Sequence, residues 1–281
     1  MPGPDAAAFV YGLCAAIAWG AGDFSGGFAT RRSNVLLVVL WSQLIGAAAL
    51  VVLAVEMAAD MPQLVHLFYG GVAGIFGVFG LTALYQGLAL GRMGIVAPIS
   101  AVTAAVIPIG IAAYSEGLPG NLQLVGFGLA LLAIWTLSNS RGTTKILSHE
   151  LVHAVASGLG FGMFFVLIDQ VSSQAILWPL VAARGTSITC LLLLVLTRGE
   201  FHVPEKNQLG LMALVGLFDA AGNTFFALAT RMGRLDISVV LSSLYPAATV
   251  VLAWLILKER LTSTQWTGLA ITAVSLALIS L

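Results

Sequence analysis

Residues 35–55 read VLLVVLWSQLIGAAALVVLAV, a run without a single charged side chain. An α-helix rises 1.5 Å per residue, so about 20 apolar residues cross the ~30 Å hydrocarbon core of a bilayer. Arg31 and Arg32 precede the run and Glu56 follows it, where lipid headgroups would lie. The pattern predicts a transmembrane helix over 35–57. The same reading, extended in both directions, predicts helices over 9–29, 64–90, 94–114 and 121–139. A second set follows at 151–170, 174–197, 208–230, 236–257 and 264–281.

Composition agrees with these spans. The chain has 281 residues, of which 59% are hydrophobic and 9% charged, and its mean hydropathy is +1.01. Soluble domains carry about 25% charged residues, because a folded protein in water needs polar atoms on its surface. Ten spans of ~20 residues use ~200 residues, which leaves short loops and no room for a separate soluble domain. Net charge is zero, and no basic patch points to nucleic acid. Cys14 and Cys190 lie in apolar segments, where thiols behave as small hydrophobes, so no disulfide is expected. The 31 glycines suit close helix approach in a membrane bundle. The start, Met1-Pro-Gly-Pro-Asp5, lacks the basic region of a cleavable signal, and the first apolar stretch is read as a retained helix.

Weak echoes join the two sets of segments. Trp19-Gly20 matches Phe161-Gly162, and Arg92-Met93-Gly94 matches Arg231-Met232-Gly233. Pro108 and Pro246 follow, then Glu116 and Glu259, then Gly126 and Gly268. With five spans per set, the second set enters the bilayer upside down relative to the first. The expected fold is an all-α polytopic membrane protein: ten transmembrane helices as two inverted five-helix repeats. The repeats occupy 1–139 and 151–281, with a polar linker at 140–150. Inverted repeats are common in secondary transporters, which handle substrate near the midplane.

Three stretches resemble the drug/metabolite transporter superfamily, specifically its ten-helix EamA-like members. They are Ala18-Trp19-Gly20, Ala182-Ala183-Arg184, and Leu244-Tyr245-Pro246 with Leu257-Lys258-Glu259-Arg260-Leu261-Thr262 and Trp266-Thr267-Gly268. The first half departs from the pattern, with Trp41-Ser42-Gln43 where an arginine is expected and Ser115-Glu116-Gly117-Leu118 in place of Glu-Arg-Leu. The resemblance implies transport of small metabolites, commonly amino acids or amphipathic compounds, often as export across the cell (inner) membrane.

Ionisable residues inside spans cost about 2.5–3.5 kcal/mol at the helix centre on insertion scales, so they face the bundle interior and pair. Arg184 and Asp219 fall near the middle of the seventh and eighth helices, and Asp23 in the last third of the first. Asn223 shares a helical face with Asp219. Gln43, Tyr85 and Gln86 add polar groups, and Trp19 and Trp41 offer an aromatic wall. The expected substrate-binding set is Arg184, Asp219, Asn223, Tyr85, Gln86, Gln43 and Trp19. Arg184 would take an anionic group, and Asp23 or Asp219 a coupling proton or a substrate ammonium. An internal Arg184–Asp219 pair that only holds the fold is the alternative, as is an Asp23 that reaches a wet mouth near Arg31 and Arg32. Pro98, Pro108 and Pro246 would kink their helices and serve as hinges or as plain bends. Glu116 and Glu259 are expected at the membrane interface.

His149-Glu150-Leu151-Val152-His153 matches H-E-x-x-H, which on a helix presents two imidazoles to zinc. No third ligand is in reach: Asp169 is 16 residues on, roughly 24 Å along a straight helix. The pattern is read as a polar helix start, and no metal or cofactor is expected. A nucleotide-binding G-x-x-x-x-G-K-[ST] loop is absent from the sequence. The function expected is therefore secondary active transport of a small organic metabolite, coupled to protons or by exchange. Its partners would be the substrate, protons and lipid, with a monomer sufficient for a pathway. A membrane sensor or assembly protein on the same fold, or an intramembrane zinc protease, are the rivals. Ten spans put both termini on one face, which carries Arg231 and Arg234 against nine Lys and Arg opposite. The positive-inside rule puts that face outside, whereas the resembled family is more often drawn with cytoplasmic termini; the orientation stays open.

Overall fold

Without water to bond it, backbone in a bilayer must satisfy its own N–H and C=O groups. The computed structural model does so with helices alone among the residues it describes, 4–30, 33–90, 93–138, 148–201, 203–258 and 261–279. The first half holds α1 (Pro4–Thr30), α2 (Val35–Glu56), α3 (Leu64–Leu90), α4 (Met93–Ser115) and α5 (Asn121–Ser138). The second holds α6 (Ser148–Ser172), α7 (Leu177–Thr197), α8 (Lys206–Met232), α9 (Leu235–Ser242), α10 (Tyr245–Leu257) and α11 (Ser263–Ile279). Seven of the described segments are long and apolar enough to cross a membrane, α9 and α10 counting together. The stretches Ile99–Ser115, Asn121–Leu137 and Ser263–Ile279 are apolar but shorter. The chain is thus a multi-pass integral membrane protein, its helices coated with exposed Val, Leu, Ile and Phe such as Val52, Leu64, Phe79 and Leu193. Cys190 belongs to that outer coat, and Cys14 is half-buried.

A shift of 142 residues carries Val35 onto Leu177, Leu64 onto Lys206, Met93 onto Leu235 and Asn121 onto Ser263, the first residues of corresponding helices. Packing follows the same shift. A methyl group at Gly222 would collide with the Trp19 indole, and one at Gly80 with the Phe161 ring. Gly126 lies against Ile279, and Gly268 against Leu137. This register corrects two of the sequence matches. Met93 opens α4 but Met232 closes α8, so the two methionines stand at opposite ends of their helices. Pro246 falls on Ala104 rather than Pro108, one helical turn away.

The expected helix 236–257 is two helices, separated at Ser243 and Leu244. Pro246 lacks a backbone N–H, and its ring would strike the carbonyl four residues back. Leu244 N–H turns to Leu241 O at 3.2 Å and Ala247 N–H to Leu244 O at 2.9 Å, which tightens the chain into a turn. α4 runs unbroken through Pro98 and Pro108.

The sequence halves are not packing units. α1 lies on α8, α9 and α10, while α6 lies on α3 and α4; α2 lies on α8 and α7 on α3, and α2 and α7 also pack closely on each other where the two groups meet. Two bundles result, {α1, α2, α8, α9, α10} and {α3, α4, α6, α7}, with α5 and α11 paired beside them. Close approach fixes each bundle. Gly46 and Gly216 bring α2 onto α8, while Gly80 and Gly160 bring α3 onto α6, with no space for a Cβ at either crossing. Thr186 and Ser187 hydroxyls donate to Gly71 O and Gly74 O at 2.7 and 2.8 Å and tie α7 to α3. Consecutive helices alternate in direction, so the connections 57–63, 116–120, 173–176 and 233–234 share the face of the chain ends. A contact on that face agrees: Trp178, in the first turn of α7, donates from Nε1 to Ala59 O at 2.9 Å.

Candidate functional site

A cavity sits at mid-height on the seam between the bundles. One side offers Trp19, Asp23, Gln43, Asp219, Asn223 and Tyr245; the other offers Gly74, Gly77, Leu81, Phe161, Phe165 and Arg184, among others. About 80 Å³ is open to the centres of water molecules. That space holds a few waters or a small polar group.

The polar centre is built across the seam. Arg184 of α7 pairs with Asp219 of α8, Nη1 to Oδ2 at 2.6 Å, with side chains 6% and 23% exposed. Gln43 of α2 completes the triangle. Its Oε1 accepts from Arg184 Nη1 at 2.5 Å, and its Nε2 donates to Asp219 Oδ2 at 3.4 Å. All this engages one guanidinium nitrogen. Arg184 Nη2 is buried and has no hydrogen-bond partner among the described residues. An unpaired buried donor is costly, and a planar guanidinium with a free edge is suited to a carboxylate or phosphate oxygen. Asp23 also lines the cavity, one turn along α1 from Trp19, so its carboxylate faces the ion pair. The Arg31–Arg32 mouth expected as its alternative setting lies outside the described residues.

The rest of the wall is aromatic. Trp19 stacks on Phe165 with centroids 5.5 Å apart and meets Phe226 at 5.8 Å. The lining thus pairs a charged floor with flat apolar sides. A 142-residue shift sets Ser42 against Arg184, Gly77 against Asp219, and Phe165 against Asp23. The charges are therefore not shared between the halves even where the helices are.

Of the residues expected from sequence, Arg184, Asp219, Asn223, Gln43, Trp19 and Asp23 come together here. Tyr85 and Gln86 do not line the cavity. α3 presents Gly74, Gly77, Leu81 and Leu84 to it, a stripe at spacings of three and four. Tyr85 is rotated off that stripe and lays its hydroxyl against Gly26. Trp41 likewise packs in the apolar layer beyond the cavity rather than in its wall. Sequence reasoning missed Tyr245, Ser187 and the Phe164–Phe165 pair as lining. Tyr245 carried a signal, since it precedes the proline that breaks the helix.

The H-E-x-x-H stretch opens α6. His153 Nδ1 lies 2.8 Å from His149 O, His149 is exposed and Glu150 is fully buried. The two rings and the carboxylate thus do not converge, and no three potential ligands cluster among the described residues. Glu116 stands exposed at the end of α4; Glu259 lies outside the described residues.

The sequence profile of the EamA-like transporter family matches residues 150–281. The uncharacterized protein MJ1333.1 of Methanocaldococcus jannaschii is 30% identical over 127 residues, which cover 45% of this chain and 91% of that one. The chain belongs to the EamA-like transporter family. A solved structure titled only "Crystal structure of protein" superposes with a TM-score of 0.81 at 16% identity, covering 98% of each chain. At that identity the likeness concerns the fold alone. MJ1333.1, at about 140 residues from its coverage, is close in length to one five-helix half of this EamA-family chain.

Proposed function

We propose that this EamA-family protein is a secondary active transporter of a small organic solute, an exporter of amino acids or compounds of similar size. It works by alternating access in the cell (inner) membrane, the two mixed bundles, each drawn from both inverted five-helix repeats, rearranging around the cavity. The observation that carries the reading is Arg184 Nη2, a buried donor without a partner among the described residues, at a cavity on the seam between two bundles. In this reading Nη2 receives a carboxylate oxygen of the substrate. Asp23 takes the substrate's ammonium or a coupling proton, and the Trp19 and Phe165 rings receive the apolar part. With both carboxylates ionised and Arg184 charged, the cavity carries one net negative charge, which favours one added cation. The inverted-repeat arrangement is supported by the 142-residue register and by packing partners that exchange in pairs: α1 on α8 corresponds to α6 on α3, and α2 on α8 to α7 on α3. A half-length relative fits a duplicated unit.

Proteoliposome flux tests the proposal. A labelled pool of amino acids and other small metabolites is loaded, a pH gradient is imposed, and wild type is compared with Arg184→Ala. Selective, gradient-driven flux lost in the variant is the expected result. Selective flux indifferent to Arg184→Ala would remove the site while leaving transport.

A further inference from the structure

Between the cavity and the face of the chain ends lies a dry layer: Phe165, Ile168, Phe226, Ala112, Leu235 and Val239, all buried in one cluster. It is drawn from both bundles, so it can part only if they separate on that face. Polar contacts cross the seam at its outer edge: Thr230 of α8 donates to Ser172 Oγ of α6 at 3.0 Å, Trp178 of α7 donates to Ala59 O after α2, and a charged bridge is made by Arg234. Arg234, in the turn before α9, donates from Nη1 to Glu116 O at 3.2 Å and from Nη2 to Gly117 O at 2.6 Å. These carbonyls close α4, in the opposite bundle, where unpaired C=O groups carry the negative end of the helix dipole. Gly117 holds that end in the left-handed region at φ +82°, a conformation open to glycine at little cost.

The arginine is itself anchored. Asp236, fully buried, accepts from Arg234 Nε at 3.1 Å and from Nη2 at 2.9 Å. Its Oδ1 also accepts the Ile237 N–H at 2.8 Å. The carboxylate bonded to Arg234 pushes the guanidinium further above its already high pKa, so the bridge stays charged at any working pH. A 142-residue shift sets Gly94 against Asp236, so the other face has no carboxylate at the matching position. The short helix α9 begins beside the anchor and ends at the break before Tyr245, which lines the cavity. One eight-residue lever therefore links the outer bridge to the solute space.

We propose that Arg234, held by Asp236, is the latch that keeps the chain-end face of the cavity shut, and that this face opens when Arg234 releases the Glu116 and Gly117 carbonyls. The latch rests on the alternating-access reading, but its test does not require flux. Leu180→Cys, on the chain-end side of the cavity wall, is placed in a Cys14→Ala/Cys190→Ala background. A membrane-impermeant maleimide is applied from the chain-end face, identified by a protease-sensitive tag. Arg234→Gln is expected to raise the labelling rate at least tenfold, and Asp236→Asn by a lesser factor. Arg234→Lys, which keeps charge but loses the fork, falls between wild type and Arg234→Gln. Labelling within twofold of wild type in folded Arg234→Gln and Asp236→Asn proteins overturns the latch. Failure of both to fold also overturns it, since the contact would then be a fold determinant. A protein that moves no solute but gains labelling would keep the latch and remove the transporter.

Discussion

Removing Arg184 alone and removing it together with its partner should have opposite consequences. In Arg184→Met, Asp219 loses its bonded cation while it and Asp23 still face the same small cavity. Breaking one side of a buried pair costs about 3–5 kcal/mol. Asp219 retains 23% exposure, which puts the expected loss near the lower end, about 3 kcal/mol. At roughly 2–4 °C per kcal/mol for chains of about this size, the midpoint of thermal unfolding falls by about 6–12 °C. Arg184→Met/Asp219→Asn carries no charge at either position, and uncharged replacements of a buried pair are often neutral or better. Its midpoint should return to within a few degrees of wild type. Tryptophan-fluorescence melts of wild type, Arg184→Met, Asp219→Asn and the double variant in one detergent give the coupling directly. Neither Arg184 variant should bind substrate well, because a hydrogen bond to a charged group contributes about 1.5–3 kcal/mol, or roughly 10- to 150-fold in affinity. Stability thus recovers in the double variant and binding does not. A single variant as stable as wild type, or a double variant as unstable as the single, would refute the reasoning.

Asp23→Asn should abolish accumulation driven by a pH gradient and keep solute exchange at zero gradient; loss of both, or of neither, argues against Asp23 as the coupling group. Gly160→Val should yield little folded protein, since a Cβ there would sit 2.8 Å from Gly80 backbone. Gly110→Ala, with nothing within 4 Å of the new methyl, should be neutral or stabilising by up to about 1 kcal/mol; size-exclusion profiles of the pair check the contrast. His153→Ala should leave both metal content and flux unchanged, and stoichiometric zinc lost in that variant would revive the peptidase reading.

Much of the site was legible in sequence because a charge inside a span is expensive wherever it sits. Arg184, Asp219 and Asp23 could be singled out from apolar context alone, and Asn223 from its spacing to Asp219. Tyr85 and Gln86 are equally polar yet lie outside the cavity wall, because only helix rotation decides which stripe faces the seam. No hydrophobic pattern records that rotation when all faces of a helix are apolar. The same uniformity hid the aromatic lining: Phe161, Phe164 and Phe165 read as ordinary membrane residues. The break before Pro246 was half visible. Proline announces a kink, but Pro108 sits within an intact α4, so the interruption depends on the local turn.

Composition and segment length by themselves determined that this chain lives in a membrane as a helical bundle, since unbroken apolar runs of about 20 residues fit spanning helices and not the short alternating strands of a barrel. Short loops determined which helices run antiparallel. Only the tertiary structure decided that the bundles mix helices from both halves. It also set the Arg184–Asp219 pair and the Arg234 contacts to the Glu116 and Gly117 carbonyls across one seam, with Arg184 Nη2 left without a partner among the described residues. Those facts depend on helix-to-helix approach at glycines, a property of surfaces in contact that residue order specifies only once the helices have met.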